Sequence, residues 1–210
     1  MMETRKYELT LAEEMLGGQP NKENVHREFI ASKGPDAPSR DEEIAALGAV
    51  EYEEKSMTVF PRLDDGTPFL WDYQWKGYFK DCCGMLRRAD GTMSKKLKAY
   101  KKEIDGLVFV EPRKIPLVLP PRGFVGDLQR PLRAQTAQGE RISLAHSETV
   151  PVGTTCEFDV VMLRDDLEGY VLEWLDYGKY HGTGQWRNSG KGRLVYEAFD
   201  EDGELVGGTM

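Results

Sequence analysis

Cysteine is scarce in this chain, and its spacing fits no disulfide or metal framework. The 210 residues include only Cys82, Cys83 and Cys156. An odd number of cysteines, two of them adjacent and none in a Cys-x-x-Cys pair, excludes a disulfide framework and a structural zinc site. We therefore expect buried, reduced thiols in a reducing compartment, and neither a metal nor another cofactor.

Long apolar runs are absent as well. No segment approaches the run of about 18 apolar residues that indicates a transmembrane helix, and no leader-like segment opens the sequence. We expect a protein that is neither secreted nor bound to a membrane, and hence a cytoplasmic one. With 40% hydrophobic residues, the chain still has enough apolar side chains for a sizeable core.

An excess of positive charge is also missing, because the formal net charge is −8. The charge is unevenly distributed along the chain. Residues 71–141 contain 15 basic and 8 acidic residues, whereas residues 1–60 contain 7 and 13, and residues 142–210 contain 5 and 13. Since a local patch and not the total charge attracts a ligand, the basic middle third is a candidate surface for a polyanion.

The densest basic segment is Arg87–Lys102. Seven of its residues are basic, and Asp90 is its only acid. Such a segment either contacts phosphates or is a solvated charge run without a partner, and the sequence leaves both interpretations open.

A glycine-rich loop near the C-terminus is the most distinctive motif. It spans residues 182–193 (GTGQWRNSGKGR), in which two Gly-x-Gly pairs bracket five residues and three cations occur without an acid. Glycine allows a positive φ and a close approach to the backbone, and exposed N–H groups beside cations suit a phosphate-rich ligand. A simple turn before the last strand is the alternative. The spacing fits neither a Walker loop nor a dinucleotide fingerprint.

Hydrophobic periodicity predicts an α+β chain. Period-two alternation predicts strands, and spacing of three to four residues predicts helices. The predicted strands are Arg5–Glu13, Gly106–Val110, Ile115–Leu119, Glu140–Ala145, Thr155–Leu163 and Arg193–Phe199, and the predicted helices are Trp71–Arg88 and Asp165–Lys179. The polar and acidic residues 17–60 are interpreted as a thumb-like insertion in a single domain. The remaining order is close to β-α-β-β-α-β, the ferredoxin-like or RRM-like plan, in which the sheet or its loops contact single-stranded RNA.

Three stretches of the chain resemble the RAMP superfamily, the ferredoxin-like RNA-binding proteins of CRISPR systems. The glycine loop resembles the family's C-terminal signature. Lys76-Gly77 in the first predicted helix is similar to the Lys/Arg-Gly of the family's first helix, whose N-terminal end faces the guide RNA. Residues 148–154 (ETVPVGT) resemble a Glu-x-Val-Pro-x-Gly-Thr turn that leads into a core strand. Where the family's first helix usually opens with small residues, this chain has the segment 71–74 (WDYQ).

The resemblance implies a guide-RNA-binding backbone subunit of a CRISPR-like effector. Such a subunit forms a homo-oligomer along the RNA through sequence-independent phosphate contacts, with a complementary target strand as an optional further partner. The residues assigned to RNA are Lys76, Gly77, Arg87, Arg88, Lys95, Lys96, Gly182, Gly184, Trp186, Arg187, Gly190, Lys191, Gly192 and Arg193. Trp186 would stack on a base or, equally, cover a sheet edge.

Two other functions stay open at the level of sequence. No catalytic signature is present, so no catalytic residue is predicted. Relatives that process repeat RNA use a histidine without a metal, and His26 in the insertion is the candidate for such an endoribonuclease. His181 and His146 are expected to have structural roles. A viral mimic of a backbone subunit, which binds a host effector without activating it, is the third interpretation.

Overall fold

The secondary structure follows the α+β order that the sequence predicts, in a computed structural model that describes residues 3–20, 57–136, 139–200 and 202–209. The strands are β1 (Glu3–Leu11), β2 (Met15–Leu16), β3 (Gln19–Pro20), β4 (Thr58–Val59), β5 (Phe69–Trp71), β6 (Val108–Glu111), β7 (Lys114–Pro116), β8 (Gly126–Thr136), β9 (Gly139–Val150), β10 (Thr155–Met162), β11 (Leu194–Phe199) and β12 (Leu205–Gly208). The helices are α1 (Asp72–Leu86), α2 (Tyr100–Leu107) and α3 (Leu167–Asp176). Single 3-10 turns occur at Ser94–Lys96, Tyr177–Lys179 and Arg187–Ser189.

The main sheet has the order β12-β11-β1-β10-β6, and all its neighbouring strands are antiparallel. Helices α1 and α2 lie between β1 and β6 along the chain, and α3 lies between β10 and β11. Strands β1, β6, β10 and β11 with helices α1 and α3 therefore form the β-α-β-β-α-β unit, with the first and third strands at the centre. The predicted ferredoxin-like α+β fold class is confirmed.

An aromatic core fills the space between this sheet and the helices. In β1 the buried residues alternate, with Tyr7 and Leu9 facing the helices. Trp75 of α1 contacts Phe158 of β10, with 4.8 Å between ring centroids, and both side chains are buried. Phe79 of α1 lies 5.6 Å from the ring of Trp174 in α3, which joins the two helices over the sheet. Each buried ring of this kind removes a large apolar area from water and so stabilises the fold.

The second member of the predicted strand pair does not join the main sheet. Residues 108–111 form β6 on its edge, but residues 114–116 form β7, which pairs with β5 in a separate two-stranded sheet. Pro116 lacks an N–H group and so cannot continue a ladder in the middle of a sheet. Ile115 and Leu117 are nevertheless buried.

The chain forms two compact units. The first comprises Met1–Met15, Pro61–Phe124 and Val150–Met210, and the second contains the described parts of Leu16–Phe60 and Val125–Thr149. In the second unit, the long hairpin of β8 and β9 pairs from Gly126↔Thr149 to Thr136↔Gly139. Residues 21–56, and with them His26, lie outside the described residues. The interpretation of residues 17–60 as an insertion in a single domain therefore stays a prediction.

The hairpin corrects two local expectations. Strand β8 has no counterpart among the predicted strands, because its sequence (GDLQRPLRAQT) contains few apolar residues and a proline. Strand β9 extends beyond the predicted Glu140–Ala145 as far as Val150. His146 therefore lies within the strand, where its Nε2 is 2.9 Å from Oδ2 of Asp127. This contact is consistent with the structural role expected for His146.

The three cysteines are free and buried, as the sequence predicts. Burial raises the pKa of Cys82 and of Cys156 to about 12, so both thiols stay protonated at neutral pH. No helix among the described residues has the length and apolar character needed to cross a bilayer.

We predict that Phe158→Ala lowers the free energy of unfolding by about 3–5 kcal/mol, because it removes a buried ring that contacts both Tyr7 and Trp75. Chemical unfolding of the full chain, followed by circular dichroism, measures this loss. The control is Phe109→Ala on neighbouring β6, where the side chain is 38% exposed and the expected loss is about 1 kcal/mol or less. Equal losses at the two positions would contradict the core described above.

Candidate nucleic-acid interface

The two ends of the glycine loop, residues 182–183 and 191–193, cross each other in close backbone contact. The N–H of Thr183 donates to the carbonyl of Gly192 at 2.9 Å, and the N–H of Gly192 donates to the carbonyl of Glu14 at 2.8 Å. A Cβ on Gly182 would lie 2.0 Å from the carbonyl oxygen of Lys191, and one on Gly192 would lie 1.9 Å from that of Thr183. These two glycines are therefore required by the close approach of two backbone segments.

The middle of the loop is a tight turn built from left-handed residues. Gly184, Trp186 and Gly190 have φ values of 78°, 56° and 87°. Within this turn, the N–H of Ser189 donates to the carbonyl of Trp186 at 3.1 Å, and the N–H of Gly190 donates to that of Arg187 at 2.8 Å. The turn thus uses part of its own N–H groups internally and presents Trp186, which is 39% exposed, at its start.

Two of the three loop cations form ion pairs within the protein. Arg187 pairs with Asp81 of α1, and Lys191 pairs with Glu14. Arg193 is exposed and forms no ion pair with a side chain of the described residues. Arg187 and Lys191 therefore anchor the loop, and Arg193 is its most available cation.

His181 belongs to the same anchor. Its Nε2 lies 2.6 Å from Oδ2 of Asp81 and 3.4 Å from Nη1 of Arg187. Its ring stacks on that of Tyr177, with 5.2 Å between centroids and an angle of 13°. A hydrogen-bonded loop histidine, as expected from the sequence, is what the structure shows.

A polar groove of about 350 Å³ runs between α1 and α2. Its floor is formed by two glycines of α1, and its walls carry three cations, a tyrosine and the aspartate that binds the loop. The lining residues are Gly77, Lys80, Asp81, Gly84, Met85, Arg88, Tyr100 and Lys101. Because Asp81 both lines the groove and pairs with Arg187, the groove and the glycine loop adjoin on one side of the molecule.

The cations of the groove differ in their availability. Lys80 forms an ion pair with Asp105 of α2. Arg88 and Lys101 are exposed and form no ion pair with any side chain in the described part of the chain. A Cβ on Gly77 would meet no atom within 4 Å, so this part of the floor is open space. The groove can therefore admit a phosphate group to within reach of two unpaired cations.

Hydrogen bonds to α3 hold the basic segment Arg87–Lys102 in place. Glu173 of α3 accepts the N–H groups of Met93 and Ser94 at 2.6 and 2.9 Å, and the hydroxyl of Ser94 at 2.6 Å. Trp174 donates its indole N–H to the same hydroxyl at 2.9 Å. The segment is therefore packed at one side, while its lysines point into solvent.

The remaining predicted residues of this region have mixed environments. Lys95 pairs with Asp90, and the guanidinium of Arg87 lies 4.9 Å from the ring centre of Tyr100. Lys96 is exposed and forms no ion pair with a described side chain. Lys76 does not line the groove. Its Nζ donates to the carbonyl of Asp105 at 2.9 Å and lies 4.6 Å from the ring centre of Phe109, and burial lowers its pKa.

The sheet face opposite the helices is acidic. Side chains that alternate with the buried ones point to this face, and the register places Glu8 directly between Glu157 and Glu197. In the next row, Asp159 lies between Lys6 and Glu111. A polyanion is repelled by such a face, so the helical side with the groove and the glycine loop is the candidate interface.

Sequence reasoning missed part of this site for identifiable reasons. Lys80 and Gly84, which were not predicted, follow helical spacing with the predicted Gly77 and Arg88, so a helical projection of the first predicted helix could have grouped them. The contribution of Tyr100 and Lys101 could not be found in this way. Leu97 and Ile104 are the only buried apolar residues in the segment 94–107, which is too few to reveal the periodicity of α2.

We predict opposite effects for two glycine-to-alanine changes. Gly192→Ala introduces a Cβ 1.9 Å from a backbone oxygen at a φ of +70°, and should lower the free energy of unfolding by about 3 kcal/mol or more. Gly77→Ala adds a Cβ in open space within a helix, and should raise it by about 0.5–1 kcal/mol. Gly91→Ala, at φ +83° without a clash, isolates the cost of the left-handed backbone alone, about 1–2 kcal/mol. Chemical unfolding measures all three, and a neutral Gly192→Ala would exclude the observed crossing.

Comparison with known proteins supports the fold. No protein-family model matches the sequence, and no curated protein matches it. Among solved structures, the chain is similar to one in "Cryo-EM structure of the Type III-B Cmr-beta bound to cognate target RNA", with a TM-score of 0.53 and 11% sequence identity. The match covers 99% of this chain and 60% of that chain. The chain thus spans less than two thirds of the matched chain, and at this identity the likeness shows a shared fold alone.

Proposed function

We propose that this chain is an RNA-binding subunit of a CRISPR-associated, RNA-guided effector, which holds a single strand through its phosphates. The observation that carries the proposal is a set of exposed cations in the first unit, on the segment between α1 and α2, on α2 and at the end of the glycine loop. These cations form no ion pair with a side chain of the described residues, and they are Arg88, Lys96, Lys98, Lys101, Lys102 and Arg193. Arg88 and Lys101 line the groove, whose floor is open at Gly77.

The charge distribution favours a nucleic acid over a small anion. The basic segment from Arg87 to Lys102 extends the groove along one side of the protein, and a flexible polyanion gains from many such contacts at once. The sheet face opposite the helices carries acidic side chains in adjacent rows. Binding on the sheet itself, as in many RNA-recognition domains, is therefore disfavoured in this chain.

The contacts expected here are insensitive to base sequence. Lysine and arginine side chains at an open groove reach phosphates, and phosphate contacts position a strand without reading it. This mode suits a subunit of an effector in which the guide strand supplies specificity by base pairing. The fold that this chain shares with a chain of an RNA-bound Cmr complex is consistent with that assignment.

The proposal includes assembly of copies along the RNA. A basic helical side and an acidic sheet face on one molecule are complementary surfaces at different positions, and such heterologous contacts repeat head to tail without closing.

Screening by salt would weaken both this assembly and RNA binding. Size-exclusion chromatography with light scattering, with and without a long single-stranded RNA, tests it, and a protein that stays monomeric on such RNA contradicts it.

We predict that Arg88→Ala/Lys101→Ala weakens RNA binding and lowers its salt dependence. Each phosphate contact on a single strand contributes about −0.7 to the slope of log K against log salt, so losing two contacts should lower the magnitude of the slope by about 1.4. Fluorescence anisotropy of a labelled single-stranded RNA of about 20 nucleotides, across a series of NaCl concentrations, measures both quantities.

The matched control for this experiment is Lys6→Ala. It also removes a cation, but Lys6 lies on the acidic sheet face and pairs with Glu157. We expect its RNA affinity and salt slope to equal those of the original chain. An original chain that does not bind RNA, or a double variant that binds as well as the control, would contradict the proposed function.

A further inference from the structure

Aromatic and cationic side chains form a cluster at the start of α1, apart from the groove. It consists of Phe69, Trp71, Tyr73, Arg113 and Lys114, which we call the aromatic–cation cluster. The rings of Trp71 and Tyr73 are nearly parallel, with an angle of 15° and 6.1 Å between centroids. Phe69 meets Trp71 edge to face at 4.9 Å.

The two cations lie close to these rings. The guanidinium carbon of Arg113 is 5.6 Å from the ring centre of Trp71 and 5.9 Å from that of Tyr73. Nζ of Lys114 is 5.4 Å from the ring centre of Phe69 and 5.9 Å from that of Trp71. Each distance is within the range in which a cation and an aromatic face attract each other.

Backbone pairing and hydrogen bonds hold the cluster in shape. Strand pairing places Trp71 opposite Lys114, and the Gln74 side chain accepts the N–H of Trp71 at 2.8 Å. Both oxygens of Asp72 accept from Nη1 of Arg113, at 3.0 and 3.1 Å. The rings are therefore presented by a fixed turn between β5 and α1 and are ordered before any ligand arrives.

The cluster is not part of the core. Phe69 is buried and forms its base, but the side chain of Arg113 is 68% exposed and Tyr73 is 50% exposed. The side chain of Asp72 is the cluster's acid, and it is paired with Arg113. An ordered pair of stacked rings, half-buried at Trp71 and exposed at Tyr73, with cations beside them attracts a partner that has both a flat π-face and negative charge. A nucleotide of a single strand has this combination.

We propose that Trp71, Tyr73 and Arg113 form a base-stacking platform for single-stranded RNA, an inference that rests on the proposed function and assigns a second kind of contact to it. A base extends the stack of Trp71 and Tyr73, and Arg113 and Lys114 meet the adjoining phosphates. Stacking is tolerant of base identity because every base has a π-face. Binding therefore has two separable parts, one that needs only phosphates and one that needs bases.

Two oligomers of equal length separate these parts. The probes are a single-stranded oligoadenylate of about 12 nucleotides and an abasic ribose-phosphate oligomer of the same length, both labelled for anisotropy. The original chain should bind the oligoadenylate about tenfold more tightly. Tyr73→Ala should lose most of this difference and leave the affinity for the abasic oligomer unchanged, whereas Tyr73→Phe, which keeps the ring, should behave like the original chain.

Two further variants act as controls. Arg88→Ala/Lys101→Ala should weaken binding of both oligomers by the same factor, because it removes phosphate contacts only. Phe124→Ala removes another exposed ring, 75% exposed on a loop of the same unit, and should change neither affinity. Circular dichroism establishes that each variant is folded.

The outcomes distinguish the platform from the proposed function. If Tyr73→Ala binds both oligomers like the original chain while the Arg88/Lys101 variant is weakened, the platform is wrong and the proposed function stands. If Tyr73→Ala weakens both oligomers equally, or changes only the oligomeric state of the RNA-free protein, the cluster has a structural or protein-binding role and the platform is again wrong. If the original chain binds neither oligomer, the proposed function fails first.

Discussion

The burial of one face of α1 against the sheet determines which of its residues face solvent, and hence where the groove lies. Trp75 and Phe79 are fixed against Phe158 and Trp174. Since successive residues of a helix turn by about 100°, this contact directs the stripe that contains Gly77 and Arg88 toward solvent. The groove therefore lies along the solvent-facing side of α1, beside open space at Gly77.

The same layering separates the charges of the chain. The helices cover one sheet face, and five acids of the strands lie on the other face, where Glu8 lies between Glu157 and Glu197. Like charges on neighbouring strands destabilise a sheet, and the ion pair of Lys6 with Glu157 offsets only part of this repulsion. A net charge of −8 thus coexists with a local excess of exposed cations between α1 and α2, because five acids of the strands lie on the opposite sheet face.

The sequence predicts those parts of the fold that carry a strong apolar period. Strands β1, β10 and β11 and helices α1 and α3 were predicted within a few residues, because their buried residues recur every second or every third to fourth position. Strand β8 was not predicted, since its sequence has no such apolar period. The environment of Arg187 was beyond sequence reasoning for another reason. Its partner Asp81 is 106 residues away along the chain, and only the fold brings them together.

The glycine loop shows why a motif alone does not identify a binding site. In sequence, its glycines suit a phosphate cradle and a chain crossing equally well. In the structure, Gly182 and Gly192 serve a crossing, while Arg187 and Lys191 form the ion pairs that hold it. The loop is thus mainly a support, which keeps Trp186 and Arg193 at the surface beside the groove. A ligand on this side would therefore depend more on the exposed cations of α2 and of the segment between α1 and α2, which form no ion pair with a described side chain, than on the glycine motif.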